Sequence, residues 1–272
     1  MKHLISTLLL LTAAVTAQAD TKLYIFDCGY FKFSDISMFS LDNSETDVRE
    51  MFVPCYLIEH EKGRLLWDGG LPIEMAGKPK HEDQPGVEVE YKRSVVDQLA
   101  DLELTPEDID LASYSHFHYD HVGAANAFSS ATLLIQQTEY DAAFLHPETN
   151  PVFTPSLYSE LANSSKVFLN GDHDVFGDGS VTIISAPGHT PGHQTLLLNL
   201  KNTGKIMLSG DLYHFEASRA LRRTPTFNTD QAETLRSIDK VEAMLKDTGA
   251  TLWIEHNKAL ADTLRKSPEF YD

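Results

Sequence analysis

A chain of 272 residues, 42% of them hydrophobic, can bury a large core, and one elaborated α/β domain is the default at that length. The formal net charge of −18 argues against nucleic acid as a partner. Phosphate binding needs clustered Lys and Arg, and only "SRALRR" at 218 approaches a cluster.

The first segment in chain order, "MKHLISTLLLLTAAVTAQAD", sets Lys2 before an apolar run from Leu4 to Val15 and ends on Ala17-Gln18-Ala19. That is the anatomy of a cleavable secretory signal, with a run too short to span a bilayer. No later run reaches spanning length, and no cysteine follows Ala19 to carry a lipid. The expectation is a signal peptide over 1–19, cleavage after Ala19, and a periplasmic or secreted single domain over 20–272. Export permits a disulfide between Cys28 and Cys55, the two cysteines present. Two small buried apolar residues are the equal alternative.

Short β-type runs follow: "KLYIF" at 22, "CYLIEH" at 55, "RLLWD" at 64, "IDLASYS" at 109, "ATLLIQ" at 131, "VTIISAP" at 181, "QTLLLNL" at 194, "KIMLSGD" at 205 and "TLWIEH" at 251. Val87, Tyr91, Val95, Leu99 and Leu102 recur at steps of four and three, which predicts one helical face. Asp230 and Glu233 predict a capping box ahead of Leu235, Ile238, Val241 and Leu245. Two stretches lack regular pattern, roughly 29–51 and 72–86, as functional lids or unstructured loops do. Two strand-rich halves, each closing with helix, predict a layered α/β sandwich.

The densest chemistry is in "YSHFHYDHVG", where His116, His118, Asp120 and His121 fall where a strand turns. His116 and His118 alternate along an extended backbone and point the same way, while Asp120 and His121 lie past the turn. Neutral imidazole beside carboxylate suits a divalent metal. One turn supplies too few ligands, and three later strands end on candidates: His189 in "APGHTPGHQ", Asp211 in "LSGDLYH" and His256 in "WIEHN". Strand ends are where α/β sheets gather functional groups. His193 is read as structural or as a support behind the ligands, not as a ligand.

"SHFHYDH", "PGHTPGHQ", "SGD" and "IEHN", with "LLWDGG" upstream, together resemble the metallo-β-lactamase superfamily, whose fold is a four-layer αββα sandwich. Segments Ser115 to Gly123, Thr138 to Tyr140, Gly188 to Gln194 and Pro268 to Tyr271 are similar to those of its N-acyl-homoserine lactonases. The likeness runs from about Lys22 to the end. It implies one metal on His116, His118 and His189, a second on Asp120, His121 and His256, and Asp211 bridging both. Asp68 resembles the family's buried aspartate that orients ligand histidines. Two divalent ions are implied, zinc first, with Co²⁺, Mn²⁺ and Fe²⁺ also suited to mixed nitrogen and oxygen ligands. The bridging carboxylate sets the pattern apart from β-lactamases proper, and a mononuclear iron oxygenase has no need of Asp120 and His256.

Such a pair of ions lowers the pKa of a shared water from about 15.7 toward 7, giving a hydroxide that can open a lactone. Asp120 is expected to carry the proton to the leaving oxygen. The best-known lactonases place a tyrosine three residues after the bridging aspartate to hold the carbonyl; here that position is His214, and Tyr213 precedes it. Both are candidates. The same site on an aryl ester, an organophosphate, a thioester or another lactone is the alternative reading. The expected partner is a small lactone or ester, with oligomeric state open. Tyr30, Phe31, Phe33, Met38, Phe39, Met51 and Phe52, with Phe144 and Phe153, are candidates to line an apolar groove for an acyl group.

Overall fold

The computed structural model describes residues 20–272, and the expected signal segment lies outside them. Fourteen strands occur among the described residues: β1 (Lys22–Phe33), β2 (Glu50–His60), β3 (Gly63–Trp67), β4 (His81–Gln84), β5 (Val87–Glu90), β6 (Leu111–Ser113), β7 (Thr132–Gln136), β8 (Lys166–Leu169), β9 (His173–Asp174), β10 (Val181–Ser185), β11 (Gln194–Leu200), β12 (Gly204–Leu208), β13 (Thr251–Trp253) and β14 (Phe270–Tyr271). The α-helices are α1 (Val95–Leu99), α2 (Gln137–Tyr140), α3 (Glu216–Leu221), α4 (Gln231–Thr248) and α5 (Lys258–Ala261). All nine runs expected to be strands form strands.

The first sheet runs β4-β5-β1-β2-β3-β6-β7-β8 with β14 on β1, and the second runs β13-β12-β11-β10-β9. Strand side chains alternate between faces, and the core divides accordingly. Leu23 and Ile25 of β1 and Leu65 and Trp67 of β3 meet Val181, Ile183 and Leu196 of the second sheet. Tyr24, Phe26 and Leu66 face the other way, onto Val95, Leu99 and Phe128. Ile184 and Met207 turn outward onto Ile238, Val241 and Leu245 of α4. Helix, sheet, sheet and helix stack as the expected αββα sandwich.

The expected start of α4 forms, with Asp230 accepting from Glu233 N at 2.9 Å. The reverse half of the box is replaced: the Asp230 amide bonds Gly188 O, and the Glu233 carboxylate takes Arg236. The helical face expected over 87–102 is corrected. Val87-Glu88-Val89-Glu90 alternates with period two and pairs with Phe33 to Tyr30 of β1, so helix begins only at the Ser94 cap. The irregular stretches are shorter than expected. β1 does not stop at Gly29 but bends there, at a register shift between Asp27 and Tyr30, with Gly29 at φ +132°. The bend lets one strand pair with both β2 and β5. His81–Gln84 is a strand as well. Cys28 and Cys55 are joined as a disulfide, closing the segment 29–54 at its base.

Strands β3, β6, β7 and β8 are mutually parallel, as are β12 and β13. Their C-terminal ends therefore open at common edges, which is what brings distant polar residues together.

Candidate metal centre

Asp68 follows β3, and the segment 115–123 follows β6, its parallel neighbour. Two interlocking bonds hold them: Gly69 N to His121 O at 2.6 Å and Gly123 N to Gly70 O at 2.8 Å. A Cβ on Gly123 would stand 2.1 Å from Leu71 C, so only glycine permits that approach. The amides of His121 and Val122 both bond His118 O, at 3.0 and 3.1 Å. This tight turn folds Asp120 and His121 back toward His116. From the second sheet, His189 follows β10, Asp211 follows β12 and His256 follows β13.

All seven expected ligands converge. His116, His118, His189 and Asp211 offer donor atoms within 4.8 Å of one another, and so do Asp120, His121 and His256. Asp211 divides its oxygens between the two groups. Oδ2 lies 3.3 Å from His189 Nε2 and 3.6 Å from His116 Nε2, while Oδ1 lies 2.9 Å from His256 Nε2 and 3.2 Å from His121 Nε2. Asp120 Oδ2 stands 3.7 Å from His121 Nε2 and 3.8 Å from His256 Nε2. Six members are buried; the Asp120 side chain keeps 13% exposure.

Each imidazole has one nitrogen held from outside the cluster. His121 Nδ1 donates to Asp68 Oδ2 at 2.9 Å, His189 Nδ1 to Asn228 Oδ1 at 2.8 Å and His256 Nδ1 to Phe52 O at 2.7 Å. His116 Nδ1 lies 3.1 Å from Ser115 Oγ, and His118 Nε2 lies 3.1 Å from the Asn150 amide. The other nitrogens point inward. His189 Nε2 sits 3.1 Å from both His116 Nε2 and His118 Nδ1. Lone pairs facing at that distance repel unless a cation lies among them. His121 Nε2, His256 Nε2 and Asp211 Oδ1 are buried with no aligned hydrogen-bond partner, which is costly for polar atoms unless something else satisfies them. The donor set fits two divalent cations.

Burial holds His116 and His118 well below the usual imidazole range, neighbouring imidazoles adding to it. Neutral imidazole is the ligating form. Burial also opposes charge on His121 and His256, but Asp211 overrides it in both, raising His121 well above the usual range and His256 to about 8. Burial works against ionised Asp211 too, yet His214, His256 and His121 hold its carboxyl well below the usual range.

Asp68 takes the orienting place expected of it. Its Oδ1 accepts from Ser115 N at 2.6 Å and its Oδ2 from Ser115 Oγ at 2.9 Å, besides His121. Sequence reasoning missed its neighbour Glu255, which burial and Asp68 push up to about 8. Its Oε1 accepts from Trp67 Nε1 and Gly210 N. Glu139 was also missed, although it sits in the "TEY" segment; it accepts from Phe117 N at 2.9 Å and Gly192 N at 2.8 Å. One buried carboxylate thus ties the two histidine-bearing loops. Asn228 and Asn150 had no sequence signal. His193 is structural as expected, donating to Ala186 O and accepting from Asp211 N.

His214 and Tyr213 separate. His214 Nε2 lies 3.0 Å from Asp211 Oδ2, its ring stacks near His256, and its buried Nδ1 has no partner. Tyr213, expected as a candidate for the substrate carbonyl, points away. It packs with Met207 and Ile238, and its hydroxyl donates to Glu242 at 2.8 Å. Tyr213 is φ −140°, ψ 136°, an extended backbone that sends consecutive side chains to opposite sides.

The centre floors a cavity of about 190 Å³. Phe31, Phe33, Met38, Phe39 and Met51 line it as expected, joined by Val87, Tyr119, Val152 and Phe227. Tyr30, Phe52, Phe144 and Phe153 are not among the lining residues. Phe52 turns into the core between the sheets, and Phe144 stacks on Tyr140. The 34–49 segment reaches over the cavity and is latched to the second half. Arg223 donates to Ser40 O and pairs with Glu45, Thr226 N bonds Met38 O, and Phe39 packs on His214, Phe215 and Phe227.

Residues 48–248 match the family model of the metallo-beta-lactamase superfamily. The chain is 32% identical to N-acyl homoserine lactonase AttM of Rhizobium radiobacter over 274 residues, covering 93% of this chain and 99% of that one. N-acyl homoserine lactonase AiiA of Bacillus thuringiensis subsp. kurstaki is 27% identical, covering 79% and 85%. An N-acyl homoserine lactone hydrolase solved with N-hexanoyl-L-homoserine at its catalytic metal center superposes with a TM-score of 0.77. It is 25% identical and covers 92% of this chain and 98% of that one. Shared architecture and sequence over nearly the whole described chain agree: it belongs to the metallo-beta-lactamase superfamily, in its N-acyl homoserine lactonase-like branch.

Proposed function

We propose that this protein is an exported, metal-dependent hydrolase that opens the lactone ring of N-acyl homoserine lactones. The observation that carries the reading is the convergence of two cation-binding groups on the floor of an apolar cavity. His116, His118 and His189 would hold one ion, Asp120, His121 and His256 the other, and Asp211 would touch both; zinc suits these ligands. Bound there, the ions supply Lewis acidity for the carbonyl and bring a water's pKa from about 15.7 toward 7. The chain's own residues do the rest. Asp120 is the one partly exposed member, placed to take a proton from the attacking water and hand it to the departing ring oxygen. His214 stands on the same wall, its Nε2 3.0 Å from Asp211 Oδ2, and would help hold that carboxylate in place. Phe31, Phe39 and Phe227 exclude bulk water from the reacting bond.

The test is proton release by metal-replete mature protein on a medium-chain N-acyl homoserine lactone, beside a chelator-stripped control. Fast, metal-dependent acid production is expected. No release with both ions confirmed bound would overturn the lactonase reading. The second reading, aryl esters or organophosphates on the same centre, is favoured by one observation: an imidazole, not a phenol, follows Asp211 into the cavity. The leader-like N-terminus and the Cys28–Cys55 disulfide support a periplasmic or secreted location.

A further inference from the structure

The turn that delivers Asp211 is held by its amides. Asp211 N donates to His193 Nε2 at 2.9 Å, and Gly210 N donates to Glu255 Oε1 at 3.0 Å. Gly210 is at φ +50°, and a Cβ there would stand 2.6 Å from His193 Nε2 and 2.8 Å from Ser115 Cβ, so the turn has little room to shift. The same Glu255 Oε1 accepts at 3.3 Å from Nε1 of Trp67, the residue before Asp68. The Glu255 backbone leads into His256 within a turn closed by Asn257 N to Ile254 O at 3.0 Å, and its amide bonds Ser209 Oγ at 3.2 Å. One side chain thus joins the strand ends that carry the bridging carboxylate, the orienting carboxylate and a ligand imidazole. Packing alone does not account for it. Glu255 is 2% exposed, and its Oε2 is buried with no hydrogen-bond partner. Such burial is rare and costly for a carboxyl group, and a leucine would fill the space with no polar atom to satisfy.

We infer that Glu255 is a positioning residue for the whole two-ion centre, its Oε1 setting where the Gly210–Asp211 turn stands against Asp68 and His256. The inference rests on the two-cation reading of the cluster and not on the identity of the substrate. Asp211 offers one oxygen to each group of ligands, so a displaced turn reaches both ions. Asp68 bonds one ligand directly, His121, and its influence is correspondingly confined to one.

Glu255→Gln keeps an acceptor oxygen in nearly the same volume, while Glu255→Leu fills the space without one. Zn²⁺ affinity, read over two equivalents by chelator competition on the stripped full-length mature protein, needs no turnover. Glu255→Leu should weaken both equivalents by about tenfold or more, within the roughly 10–100-fold range for losing an outer support of a metal ligand. Glu255→Gln should bind both as wild type does, and its Co²⁺-loaded form should reproduce the wild-type visible spectrum. Circular dichroism of metal-free Glu255→Leu should match that of metal-free wild type. If no lactone is hydrolysed and this pattern still appears, the lactonase reading falls and the role of Glu255 stands. Unchanged affinities in Glu255→Leu, a loss confined to one equivalent, or Glu255→Gln as weak as Glu255→Leu would overturn the inference. So would a metal-free Glu255→Leu that has lost its fold, which would assign Glu255 to stability instead.

Discussion

Replacing Asp68 with Asn separates the charge of one buried carboxylate from its shape. Asp68 sits at φ +59°, a left-handed conformation that Asn tolerates better than most residues, so the backbone carries little added strain. One oxygen still accepts from Ser115 N. The amide nitrogen then replaces the oxygen that lies 2.9 Å from both Ser115 Oγ and His121 Nδ1. Two donors confront each other at Nδ1, and His121 escapes only by moving its proton to Nε2, the nitrogen aimed at Asp211. A buried donor left without an acceptor costs about 1–3 kcal/mol. That corresponds to the roughly 10–100-fold loss of metal affinity that follows when a ligand histidine loses its carboxylate. Competition with a chromophoric chelator, run as a two-equivalent titration, reads it directly. One equivalent, the ion assigned to Asp120, His121 and His256, should weaken while the other holds. Both affinities unchanged in a protein of unaltered circular dichroism would refute the argument.

Chelation should destabilise the whole domain, because four ligands follow β6 of one sheet and three follow strands of the other. Each ion present at about a thousand times its Kd contributes ~4.1 kcal/mol, so at about 2–4 °C per kcal/mol the loss of each lowers Tm by roughly 8–16 °C. An unchanged Tm would refute the cross-linking role. Asp211→Ala should abolish turnover and weaken retention of both ions, measured by elemental analysis; a variant keeping both ions and a near-normal rate would sink the bridging assignment. Asp230→Ala removes the α4 cap and should cost about 1 kcal/mol in urea unfolding. It should leave metal content intact; metal loss would tie the cap to the centre after all.

The sandwich was legible because buried strands here are unbroken apolar runs with turn residues at their ends, as in "RLLWD" and "VTIIS". The seven ligands were legible for a related reason. Four lie in one segment just past β6, and His189, Asp211 and His256 each come within a few residues of the end of a later strand. What sequence could not give depends on register or on distance. Tyr213 and His214 are adjacent, and one step along an extended backbone decides which enters the cavity. The Cys28–Cys55 pairing depends on the bend that carries β1 past Gly29. The supports of the cluster, Asn150, Asn228 and the carbonyl of Phe52, come from segments 32 to 204 residues away and share no local pattern with the ligands.

The segment 29–54 supplies Phe31, Phe33, Met38, Phe39 and Met51 to the cavity wall yet none of the seven ligands, and it is fixed at its base by a covalent bond and at its tip by the Arg223 and Thr226 latch. Such a piece can change length or sequence while its ends stay put, and loop-closure entropy penalises each doubling by only about 0.6 kcal/mol. Substitutions at Met38, which lines the cavity and is none of the ligands, would alter what the cavity admits. The fold thereby separates inheritance of its chemistry from inheritance of its appetite: drift in one short cassette suffices to hand the same reaction a different molecule.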